Sequence, residues 1–174
     1  MVGTWLGEHH GKVRWPTIPT LTYGEVIEIK EAPVAKAAGQ HFLSYSAISW
    51  AHNTKDRLHD EWGYIGVDRY GDAYLMTVGN NGFNKYEKGR GQYGWIRFDS
   101  EGIGRISFSR DLPVNKTSRT FQITQEFKDY GRNHTVIEME QVLLMATETH
   151  PTHPHSHVGG VQEHTRIRYR KRNT

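Results

Sequence analysis

Histidine is the commonest metal ligand and the side chain that titrates nearest neutral pH. Five of the chain's eleven histidines crowd into one stretch, "MATETHPTHPHSHVGGVQEHTRIRYRK": His150, His153, His155, His157 and His164. His155 and His157 are two apart, which on a strand puts both rings on one face, as some metal sites use. The prolines and the Gly-Gly pair argue for a loop instead, and a loop must pay ordering entropy before it grips a metal. The cluster therefore reads as a solvated polar loop. His164 stands apart from it, after Glu163, where a strand begins. Strict alternation puts His164 with Arg166 and Arg168, on the face opposite Ile167 and Tyr169. It points inward only if the strand starts after it or bulges there.

Other candidate groups are scattered. In "GTWLGEHHGKVRWPT", Gly3, Gly7 and Gly11 surround Trp5 and suggest close backbone approach at a barrel corner. Pro16 removes a ladder donor and marks an edge or entry point. Thr17 either meets a ligand or closes a turn. His59, beside Asp60 and Glu61, is a buried hydrogen-bonded histidine or a cavity-lining one. Hydrolytic signatures are missing: there is no G-x-S-x-G, no cysteine nucleophile and no H-E-x-x-H.

The elements that position these groups read as strands. "LTYGEVIEIK" sets Leu21, Tyr23, Ile27 and Ile29 on one parity, and "FLSYSAISW" alternates Leu43, Tyr45 and Ala47 with serines. The stretch from Gly63 to Gly102 reads as several short strands, with "NNG" and "SEG" as hairpin loops. "RISFSR", "RTFQIT", "HTVIEMEQVLLMATE" and "TRIRYRK" complete the set. The alanines of "EAPVAKAAGQHF" favour a helix, which Pro33 and Gly39 hold to a turn or two. Eighteen glycines punctuate the chain. The pattern is all-β: a closed antiparallel barrel or a sandwich, and a barrel interior can hold one small ligand.

A length of 174 residues fits one domain, 1–174, with a real core. With no cysteine there are no disulfides, thiolate zinc sites or iron–sulfur clusters, and a cytoplasmic, intracellular setting is the default, the nucleus included. No apolar run reaches the roughly 20 residues that span a bilayer, so no membrane partner is expected. Part of the net charge of +3 sits in the tail "RIRYRKR". That run reads as the solvated face of a strand, and nucleic acid is the weaker reading.

Several of these stretches, in this order, resemble the nitrobindin family of haem-binding β-barrels. They are "GTWLGEHHGKVRWPT", "LTYGEVIEI", "LHDEWGYI", "GRISFSRDLPVNKTSRTFQIT", "LLMATETHP" and "EHTRIRYRK". The resemblance implies a ten-stranded antiparallel barrel, similar to lipocalins and fatty-acid-binding proteins, with ferric haem b at its mouth. It implies that the histidine opening the last strand, His164, is the axial iron ligand, and that Thr17 contacts the haem. It further implies nitric oxide binding and isomerisation of peroxynitrite to nitrate. His59 matches a family histidine but carries no ligand role. Tyr45 and His59 are candidates for the distal face. Two features depart from the pattern. Counted from Met-Ala-Thr, the ligand would be His155; counted from the closing strand it is His164, with "HPHSHVGGVQ" as an inserted loop. His164 is favoured and His155 is the reserve. His9 also stands where the signature has a glycine. The alternatives are a haem-based nitric oxide carrier or sensor, and a lipocalin-like carrier of an apolar ligand.

Overall fold

The computed structural model describes residues 1–33, 41–129, 134–148 and 161–172. Of the stretch 31–42, where a short helix is expected, Glu31 ends one strand and Phe42 opens the next, and residues 34–40 lie outside the described residues, as does the cluster from His150 to His157. Ten strands run in chain order. They are β1 (Gly3–Trp15), β2 (Ile18–Glu31), β3 (Phe42–Ala51), β4 (Arg57–Val67) and β5 (Ala73–Gly79). Then come β6 (Phe83–Gln92), β7 (Trp95–Arg105), β8 (Val114–Asp129), β9 (His134–Thr147) and β10 (Gln162–Arg172). Every sequential pair is antiparallel, and β10 closes on β1 to give a barrel, with Val13 opposite Thr165 and Thr4 opposite Arg172. Closure leaves no open sheet edge.

Alternation decides which side chains enter. Tyr23, Ile27 and Ile29 of β2 are buried, as are Tyr45 and Ala47 of β3 and Ile167 and Tyr169 of β10. With Trp5, Leu75, Phe98, Phe121 and Met139 they form the apolar core. Full burial of each large apolar side chain contributes about 1.5–3 kcal/mol. The glycine series of β1 works by close approach: a Cβ on Gly11 would lie 2.4 Å from the Tyr23 carbonyl oxygen. One on Gly7 would lie 2.7 Å from the Ile167 side chain. Around these glycines β1 slips register against both neighbours, between Gly7 and Gly11 on the β2 side and between Leu6 and Lys12 on the β10 side.

Some expected turns are placed differently. "NNG", residues 80–82, does join β5 to β6. "SEG" is no hairpin: it lies inside β7, where the register shift opposite Tyr86 and Glu87 makes Glu101 the extra residue of a bulge. The hairpin falls instead at Tyr93-Gly94, between the paired Gln92 and Trp95. Both residues have positive φ, 49° and 78°, the backbone a type I′ turn requires. "RISFSR" is not a strand beyond Arg105. Ile106 and Phe108 are exposed in the connection to β8. The Arg105 guanidinium holds that connection by donating to the carbonyls of Ser109 (2.6 Å) and Asp111 (2.8 Å).

The basic tail is the outer face of β10. Arg166 pairs with Glu140 and Glu163, Arg168 with Glu140, and Arg170 with Glu138. Exposed pairs of this kind add little stability.

Candidate functional site

One end of the barrel opens into a cavity of ≈ 270 Å³. Its mouth is walled by Val13, Trp15, Ile18, Leu58, Phe83 and Met145, and His164 lies on its rim. Pro16-Thr17 forms the two-residue turn between Trp15 and Ile18, which are paired across β1 and β2. Thr17 is exposed in that turn and is not among the lining residues.

A bulge settles the direction of His164. In the β10–β9 ladder Glu163 pairs with Leu144 and Thr165 pairs with Leu143, so His164 is the extra residue. Beyond the bulge Thr165 falls in phase with buried Ile167 and Tyr169 and faces the cavity, and His164 turns to line it as well. The half-buried His164 ring packs edge-on to Trp15, with centroids 5.4 Å apart. Its Nδ1 lies 2.6 Å from the Arg14 carbonyl oxygen. A carbonyl only accepts, so Nδ1 carries a proton, and in the neutral ring the lone pair is then on Nε2, the tautomer with which imidazoles bind metals. Glu163 is not that acceptor; its carboxylate meets Arg14 and Arg166 outside the barrel.

Beneath the apolar mouth lies a layer of buried polar side chains. The Arg119 guanidinium donates to both carboxylate oxygens of Glu61, at 2.7 and 3.0 Å, and to the Tyr45 hydroxyl at 2.9 Å. Glu61 also meets Lys85 at 2.5 Å and accepts from Thr77 at 3.0 Å. Glu87 accepts from Thr117 at 2.8 Å and lies 3.7 Å from Arg119. Arg119 and Lys85 hold Glu61 well below the usual carboxylate range, overcoming the upward push of burial. Among the described residues, Glu25 has no cation within ion-pairing distance. Its carboxyl meets the Tyr169 hydroxyl, which also lies 3.4 Å from Gln141 Oε1. Burial pushes the Glu25 pKa up to about 7.

His59 and Tyr45, the distal candidates, both line the cavity. The strand order puts β4, which carries His59, four strands from β10 one way and six the other, across the barrel from His164. Burial lowers the pKa of His59, so the neutral imidazole is favoured. The polar layer was not anticipated as a unit, although a signal for it existed. Glu25 shares parity with Tyr23 and Ile27, Gln141 with Met139 and Leu143, and Arg119 with Phe121. A charged or amide side chain in an apolar register marks a polar interior.

Fold and cavity define a class: a closed β-barrel with a cavity open at one end and a histidine on its rim, its Nδ1 against a backbone carbonyl. The family model described as "THAP4-like, heme-binding beta-barrel domain" matches residues 1–159, and the chain belongs to that haem-binding family, the nitrobindins. The Caenorhabditis elegans protein C28H8.5 is 32% identical over 98% of this chain and 54% of its own length. The human protein named peroxynitrite isomerase THAP4 is 30% identical over 91% of this chain and 25% of its own length. The chain thus spans about half and about a quarter of those two relatives. An Arabidopsis thaliana protein named peroxynitrite isomerase Rv2717c is 26% identical over 89% of this chain and 80% of its own. The crystal structure of Rv2717c from M. tuberculosis shares the fold, with a TM-score of 0.73 at 21% identity, covering 99% of this chain and 92% of that one. The family match ends at residue 159, before β10, so the assignment of His164 rests on the bulge and its hydrogen bond.

Proposed function

We propose that the chain binds ferric haem b at the mouth of the barrel, with His164 as its protein ligand, and isomerises peroxynitrite to nitrate. The observation that carries this is the His164–Arg14 contact, which presents a metal-binding nitrogen at the rim of an apolar-walled cavity. The donor set fits the group. Among the described residues, no cluster of three or more histidine, aspartate and glutamate side chains is arranged to hold a metal ion. A porphyrin brings its own four nitrogens and needs only one axial side chain, as His164 supplies. Thr165, beside it, lines the same cavity. At ≈ 270 Å³ the cavity falls just below the usual range for ligand pockets, which suits a planar group lying at the mouth.

The haem iron, when bound, supplies the chemistry of the rearrangement. The chain's own residues do the rest. The Arg14 carbonyl fixes the ring of His164 and raises its basicity. Trp15, Ile18, Leu58 and Phe83 shield the site from water. Isomerisation changes neither the atoms nor the charge of the anion, so no acid–base pair is needed. Nitric oxide, a small neutral molecule, would use the same site, and His155 is the reserve ligand. In this reading Thr17 contacts the haem from the rim turn. A carrier or sensor would use the same pocket without turnover. Stopped-flow decay of peroxynitrite tests the difference: the hemin-loaded chain should accelerate decay and raise the nitrate yield over free hemin. A decay equal to that of free hemin would leave a carrier, not an enzyme.

A further inference from the structure

The cavity floor has more acid than base. Three carboxyl groups lie in the buried polar layer at its base, Glu25, Glu61 and Glu87, against two cations, Lys85 and Arg119; a fourth, Asp111, lines the cavity from the connection between β7 and β8, where it accepts from Asn81. The cations are already allotted. Arg119 is bidentate on Glu61 and lies 3.7 Å from Glu87; Lys85 lies 2.5 Å from Glu61. Among the described residues, no cation lies within ion-pairing distance of Glu25, which is 7% exposed.

The hydrogens point the same way. The Tyr169 hydroxyl has one proton and two oxygen neighbours, a Glu25 oxygen and Gln141 Oε1. An amide oxygen only accepts. With the proton on Glu25, the carboxyl can donate to the Tyr169 hydroxyl and free that hydroxyl to donate to Gln141 Oε1; with Glu25 ionised, the hydroxyl donates to Glu25 and Gln141 Oε1 receives nothing from it.

We propose that Glu25 is a specificity-determining residue, held protonated on the cavity floor: while it keeps its proton the floor is neutral and admits a small anion, and once ionised it repels one. Charge counting supports this. Within the buried layer, with Glu25 neutral, Glu61 and Glu87 balance Arg119 and Lys85; ionised Glu25 adds one uncompensated negative charge to that layer. The groups facing Glu25 from the surrounding strands are few. They are Tyr23 on its own strand, Tyr45 on β3, and Glu61 and His59 on β4. Lys85 and Glu87 follow on β6, Arg119 and Thr117 on β8, Gln141 on β9 and Tyr169 on β10. Burial places the Glu25 pKa at about 7, so the change falls in the neutral range. His59 sits in the same cavity and is held neutral by burial, so it does not supply a compensating positive charge there.

This proposal deepens the reading of the cavity as a haem-ligand site and rests on it for its second measurement only. The first is ¹³C NMR of the glutamate-labelled chain, before and after hemin is added. It should show one carboxyl titrating near neutrality, absent in Glu25→Gln. A Glu25 carboxyl titrating in the ordinary acidic range overturns the proposal. The second is azide affinity of the hemin-loaded chain between pH 6 and pH 8. Affinity in the wild type should fall on the order of tenfold more than in Glu25→Gln. Carbon monoxide, which is neutral, should bind the ferrous form of both equally. An identical azide profile in both proteins overturns the proposal. If no Soret band forms at all, the haem reading fails instead, and the NMR titration alone decides the state of Glu25. The same titration decides it should Glu25→Gln not fold.

Discussion

Replacing Arg119 with leucine tests the polar layer most severely. The guanidinium is 3% exposed and makes two hydrogen bonds to Glu61 and one to Tyr45, with Glu87 at 3.7 Å. Leucine approximates the volume of the stem but leaves Glu61 with Lys85 alone as a cation and Glu87 with none. Removing one partner of a buried ion pair costs about 3–5 kcal/mol, because the remaining charge is stranded. That is a large part of the total stability of an ordinary domain, roughly 5–15 kcal/mol. The assay is urea unfolding followed by tryptophan fluorescence, at pH 7 and again at pH 5. In the wild type Glu61 is held below its ordinary range, so its contribution is present above about pH 4.5 and lost as the pH falls. In Arg119→Leu the stranded carboxylates should be pushed upward and take up protons in the folded state. The gap between the two proteins should therefore narrow at pH 5, by up to ~1.4 kcal/mol per proton per pH unit. A loss below about 1 kcal/mol, or one equal at both pH values, would refute the claim that this layer is held by charge.

Two further outcomes follow from the same geometry. Glu25 has its pKa raised from 4.5 to about 7 in the folded chain, so its stabilising contribution is complete below pH 4.5 and lost as the pH rises through 7. Urea unfolding of wild type against Glu25→Gln should show a relative loss of about 3 kcal/mol across that window, and subtraction removes the opposite trend of His59, present in both; a flat difference counts against it. Gly11→Ala puts a Cβ 2.4 Å from the Tyr23 carbonyl oxygen, so thermal unfolding should show a loss of roughly 1–3 kcal/mol. An unchanged melting temperature would mean that the β1–β2 contact yields easily.

The strands were legible because one face of each is buried. Alternation alone places Tyr23, Ile27 and Ile29, or Ile167 and Tyr169, inside. Turns were legible where composition announces them, as at Asn80-Asn81-Gly82. They were not at Tyr93-Gly94, because tyrosine at positive φ is uncommon and held here by the strand pairing around it. Ser100-Glu101-Gly102 carries turn residues yet forms a bulge, since the β6–β7 ladder continues on both sides of it. The site depended on the same kind of event. Period-two reasoning set His164 outside with Arg166, and one extra residue between Glu163 and Thr165 reversed its face. A bulge is a property of two paired strands, so it has no signature in the sequence of one. The polar layer was readable in principle: Glu25, Arg119 and Gln141 interrupt apolar registers. Which carboxylate takes which cation required all ten strands in place.

The account turns on His164 as the haem ligand, and an absorption titration with hemin tests it directly. The wild-type chain should develop a sharp Soret band at one equivalent, and His155→Ala should match it. His164→Ala should bind more weakly, with the band shifted or broadened. An unchanged spectrum in His164→Ala, or loss of the band in His155→Ala alone, would contradict the assignment.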